Sequence, residues 1–133
     1  MYPAGRLDLP STVRIIPCRE WSSVCTGLDP VPGSDHTFYA PNYEVLFDCP
    51  ILAGNLTIRK FTLDSIPYTV AVEKPGETDL DAFVADLKKI IPEATGMFGD
   101  IPFDHYHFLI MDQGMGGTGA RQFHGRVYQG ELL

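Results

Sequence analysis

Apolar side chains recur at helical spacing in one clear place. Leu80, Phe83, Val84, Leu87, Ile90 and Ile91 keep the i, i+3, i+4, i+7 pattern that lines one face of a helix, with Asp86, Lys88 and Lys89 on the polar side. Thr78 is placed to cap that helix, with Asp79 and Asp81 in the first turn where the dipole favours anions. Pro92 is expected to end it or restart it as a short second turn, and Gly96 and Gly99 to finish it.

Elsewhere the pattern has the period of a strand. The β-branched run 11–16 and the segment 21–28 predict two short strands, and the breaker cluster Asp29-Pro30-Val31-Pro32-Gly33 divides them from the rest of the chain. Tyr43–Phe47 reads as a third strand. Leu56, Ile58 and Lys60 alternate with Thr57, Arg59 and Phe61, and after Asp64-Ser65-Ile66-Pro67 comes Tyr68–Val72, which predicts a β-hairpin. His105–Met111 predicts a last strand, with Tyr106, Phe108 and Ile110 on one face and His105, His107 and Leu109 on the other. The expected fold is α+β: a mainly antiparallel sheet with one amphipathic helix, preceded by the end of a β-sandwich.

Composition narrows the function classes. With 133 residues, 44% hydrophobic and 20% charged, the chain has enough apolar content for a real core. A net charge of −7 with scattered basic residues argues against nucleic acid as a partner. No apolar run approaches the roughly 20 residues of a membrane span. Met1-Tyr2-Pro3 has neither the basic nor the apolar region of a signal peptide. Cys18, Cys25 and Cys49 leave one thiol over in any pairing and form no Cys-x-x-Cys.

Four constellations could carry chemistry. Gly114, Gly116 and Gly119 have dinucleotide-fingerprint spacing, but too little chain remains after them for the helix and second strand that such a site requires. His105 and His107 share a strand face and with His124 could supply three zinc nitrogens, although strand histidines beside Tyr and Phe more often pack. Cys49 is the one conceivable nucleophile paired with a histidine, and nothing in the sequence marks it as activated. Arg121, Gln122, His124 and Arg126 make a modestly basic, solvated end.

The order of these features resembles one family. Phe38-Tyr39-Ala40-Pro41-Asn42-Tyr43-Glu44-Val45-Leu46-Phe47-Asp48-Cys49-Pro50-Ile51, the hairpin over 54–72, the helix ending Asp86-Leu87-Lys88-Lys89-Ile90-Ile91 and the stretch from Phe98 to Leu109 are similar to the glycyl aminopeptidases. These are zinc metallopeptidases with a thermolysin-like catalytic domain. Residues 2–8 and 21–28 resemble the end of that family's N-terminal β-sandwich. The resemblance implies residues 1–37 as the last part of the sandwich domain and 38–133 as the opening portion of a peptidase-like domain.

It also implies peptide as the substrate, met by the backbone of Gly116, Gly117, Thr118 and Gly119 at a sheet edge. In the family this loop reads Gly-Gly-Leu-Glu-His, and related aminopeptidases use such a carboxylate to hold the substrate's α-ammonium. Here Thr118-Gly119-Ala120 comes after Gly117, with no acid for that charge-assisted bond. No His-Glu-x-x-His occurs either, so no catalytic residue and no metal ligand is assigned. Zinc and its general base are expected of a full-length parent, whose remaining polypeptide is the other expected partner, and this chain alone is expected to be inactive. Two other classes fit the same residues: a non-catalytic peptide- or protein-binding module, and a small α+β protein of unrelated function.

Overall fold

The computed structural model describes residues 4–99, 101, 103–111, 117–123 and 126–132, the last two stretches as backbone. The fold is α+β. Its centre is a five-stranded sheet in the order β10-β9-β8-β7-β6, where β6 is Leu56–Leu63, β7 Ile66–Glu73, β8 Phe103–Ile110, β9 Gly117–Phe123 and β10 Arg126–Leu132. All neighbours run antiparallel except β7 and β8, which are parallel and joined through α2, Leu80–Phe98. The hairpin turns on Asp64 and Ser65 alone, both at positive φ (49° and 68°), a two-residue geometry whose twist suits paired strands. Pro67 falls inside β7, opposite Thr62, one residue before pairing with β8 begins at Tyr68. It therefore removes no donor from the inner ladder.

The apolar face of α2 covers one side of this sheet. Phe61, Tyr68, Val70, Val72, Leu80 and Phe108 form the buried cluster, with Phe83, Val84, Leu87 and Ile91 packed against it. Phe61 and Tyr68 are directly opposed across the hairpin, and their rings stack at 5.1 Å. Ile90, which helical spacing assigns to the same stripe, is 59% exposed, because the stripe continues from Leu87 through Ile91. Asp79, rather than Thr78, is the N-cap: its carboxylate accepts from the amides of Asp81 and Ala82. Pro92 does not end the helix. Only its own missing N–H is lost, and the chain continues to a left-handed Gly99 at φ 73°.

Residues ahead of the sheet fold into smaller pieces. β1 (Ser11–Arg14), β4 (Thr37–Ala40) and β3 (Asp29–Pro30) form a three-stranded sheet in the order β1-β4-β3. The breaker cluster thus contributes a short strand to it. β2 (Ser23–Thr26) pairs with β5 (Ile51–Gly54). Between them lies a correction: Tyr43–Asp48 is helix α1 and not a strand. Asn42 decides this locally, since its side chain accepts from the Val45 amide at 2.9 Å and satisfies one of the free donors of the first turn. Val45 and Cys49, four apart, then face Leu28 and Ala40 in a small separate core.

Candidate functional site

Period-two alternation in β8 divides its side chains between two jobs. Tyr106, Phe108 and Ile110 enter the core under α2, while Leu109 joins Cys25 and Ala71 in a cluster on the opposite face. On that second face β2 and β5 lie against the sheet. His107 Nδ1 is 3.4 Å from Cys25 Sγ, and His105 Nε2 is 2.8 Å from the carbonyl oxygen of Gly27. The two rings stand edge to face with centroids 5.3 Å apart. Two histidines thus tie the β2 segment, some eighty residues earlier in the chain, to the central sheet.

Electrostatics keep the Cys25–His107 contact neutral. Burial pushes the His107 imidazole down to about 4, helped by His105 and Lys60 nearby. Burial also pushes the Cys25 thiol up to about 11, only partly opposed by Lys60 and by a backbone hydrogen bond at Thr26. A protonated thiol therefore meets a neutral imidazole: the pair is a neutral contact and not the thiolate–imidazolium couple of a cysteine nucleophile. Cys49 is further from reactivity, raised to about 12 by burial and by the Asp48 and Asp29 carboxylates. Among the described residues no three His, Cys, Asp or Glu side chains gather to hold a metal, so no step through zinc is derived. His124, the third suggested ligand, lies outside the described residues.

Of the residues expected to meet a peptide, Gly116 lies outside the described residues, and Gly117, Thr118 and Gly119 open β9. Gly119 sits opposite Phe108 on one side and Gly130 on the other; Thr118 likewise faces Leu109 and Glu131. Both edges of β9 are thereby occupied, and the outermost strands are β6 and β10. The segment after Gly119 carries no periodic pattern, so sequence reasoning misses the β9–β10 hairpin that it forms. That strand also disposes of the nucleotide fingerprint, whose last glycine would have to open a helix. No helix among the described residues is long and apolar enough to cross a membrane.

Sequence reasoning likewise misses the pairing of Cys25 with His107. Alternation tells which face His107 is on; nothing local tells which segment covers that face.

Comparison with known proteins bears on this architecture in two places. Residues 1–55 match the peptidase M61 N-terminal domain. Across 95% of the chain the fold superimposes on the crystal structure of an aminopeptidase N family protein from Idiomarina loihiensis, with a TM-score of 0.73 and 29% sequence identity. The chain spans 22% of the length of that protein. No curated protein matches it. The two matches, one covering the small sheets and the other nearly everything described, agree in supporting a peptidase family.

Proposed function

We propose that the chain supplies the substrate-cleft sheet of a zinc metallopeptidase resembling the glycyl aminopeptidases, and is not catalytic by itself. One observation carries this reading: a segment matching a peptidase N-terminal domain is joined, through the His105–His107 seam, to a sheet that superimposes on an aminopeptidase-family fold. The division into a sandwich part, 1–37, and a peptidase-like part, 38–133, belongs to the same reading. An extended peptide would pair with the backbone of Gly117, Thr118 and Gly119 along β9, in the place β10 holds here, by main-chain hydrogen bonds.

Hydrolysis would draw zinc, its ligands and a general base from a longer polypeptide. The test is to assay the purified chain with added zinc on glycyl- and alanyl-p-nitroanilide. No turnover is expected, and chelator-sensitive release of nitroaniline would overturn the reading. A second reading, a peptide-binding module without catalysis, is favoured by the absence of an acid after Gly117. It differs in expecting peptide binding without turnover even from a longer polypeptide.

A further inference from the structure

We propose that the β2–β5 ribbon is an acid-operated latch, closed on the central sheet while His107 is neutral and lifted from it when that ring takes up a proton. Three features carry this: a ribbon anchored at one end, two histidines gripping its other end, and cations around the grip.

The ribbon is a separate two-stranded piece, since β2 and β5 pair with each other and not with the central sheet. Its anchor is Asn55, the single residue between β5 and β6. Asn55 lies in an exposed bend, and its side chain accepts from the Ser22 amide at 3.1 Å. Ser23 pairs with Gly54 next to this anchor, and Thr26 pairs with Ile51 at the far end. The grip is at the far end. There Cys25 meets His107, and the Gly27 carbonyl accepts from His105.

Charge decides what a proton does at the grip. Lys60 of β6, Thr69 of β7 and His107 of β8 lie side by side across the sheet, on one face. His105, on the same strand, has its ring centroid 5.3 Å from that of His107. From the ribbon come the Cys25 thiol and the apolar Leu52, and β9 sets Ala120 opposite His107 in register. Among the described residues no carboxylate bonds to either imidazole, and Lys60 forms no ion pair. A proton on buried His107 therefore adds a second cation near Lys60 without a counter-charge. Lifting the ribbon gives that cation to water. With His107 at about 4 in the closed form and 6.5 once solvated, the open fraction rises about 20-fold from pH 7 to pH 5.

The test measures thiol protection in the 133-residue chain carrying Cys18→Ser, which removes the exposed thiol. Reaction of Cys25 and Cys49 with 4,4′-dithiodipyridine is followed at pH 7 and pH 5. Each rate is divided by that of the same thiol in the urea-unfolded chain at the same pH. Cys49, in the separate small core, is the internal reference. Protection of Cys25 is expected to fall about 20-fold, and that of Cys49 to change by less than about twofold. In His107→Gln, protection of Cys25 is expected to be the same at both pH values. Equal loss at both cysteines would mean that the whole fold loosens, and would overturn the proposal. So would constant protection of Cys25 in the chain that keeps His107, or a fall that survives in His107→Gln.

Discussion

The Cys25 thiol and the His107 imidazole, 82 positions apart in sequence, meet at 3.4 Å across the junction of β2 with the central sheet. Both are neutral there, and that neutrality has a pH signature.

His107 is held at about 4 in the fold against an ordinary 6.5. The unfolded chain therefore takes up this proton first as pH falls. The stability due to the neutral imidazole is whole above about 6.5 and is lost as pH drops toward 4, by at most roughly 3 kcal/mol. Urea denaturation of wild type and His107→Gln across this window checks it. The difference between the two curves is expected to slope with pH, and parallel curves would count against a buried neutral His107.

The thiols should separate by reactivity. Cys18 is exposed, whereas Cys25 and Cys49 are buried and raised to about 11 and 12. One equivalent of thiol is expected to react quickly with an aromatic disulfide reagent at pH 8, and the other two only in denaturant. Fast loss of two or more would mean that the β2 seam around Cys25 or the small core around Cys49 opens readily.

Asp79 caps α2 with two bonds, while Thr78 only closes a turn through its amide to Pro75. Asp79→Ala is expected to cost about 1 kcal/mol, and Thr78→Ala close to nothing. Chemical denaturation of both variants decides between the two caps.

Tyr68 packs its ring against Phe61 and Phe103 but leaves its hydroxyl unbonded among the described residues. Tyr68→Phe should be neutral or stabilising by up to about 1 kcal/mol, since it removes a buried group without a partner. Tyr68→Ala should cost roughly 3–5 kcal/mol from the cavity it leaves. Thermal melts distinguish these outcomes.

The departure at Thr118 carries a prediction at the level of the gene. Thr118, Gly119, Ala120 and Arg121 written as ACT, GGA, GCA and CGN spell Leu-Glu-His when read one nucleotide further on. That completes the Gly-Gly-Leu-Glu-His pattern after Gly117. Sequencing these codons in the source DNA is expected to show those bases. GGC or GCG at the glycine or alanine would break the connection.

Much of the sheet is legible in the sequence because its pattern is local. The hairpin, α2 and the two faces of β8 come from period and punctuation, and alternation alone puts His105 and His107 on one face. Tyr43–Phe47 reads wrongly as a strand because its apolar and β-prone residues outweigh one cap, and Asn42 acts through a hydrogen bond that composition does not display. What covers a face is set by distant residues, so the partners of His105 and His107 are beyond any local pattern. Gly117 and Gly119 offer no side chain to alternate, and their strand is defined only by its neighbours.

The parallel pairing of β7 with β8 also sets an order of events. The β6–β7 hairpin closes over two residues, but β8 must wait for α2 to cross back, and β2 must wait for β8. During synthesis β2, one of the first strands to emerge, is thus among the last to reach the central sheet. At roughly 5–20 residues per second, the interval between Cys25 and His107 amounts to several seconds. Throughout it β2 has no central sheet to rest on, and the edge that β5 does not pair is open to other chains. Slowing translation between these two positions would lengthen that exposure without changing a single contact in the finished fold.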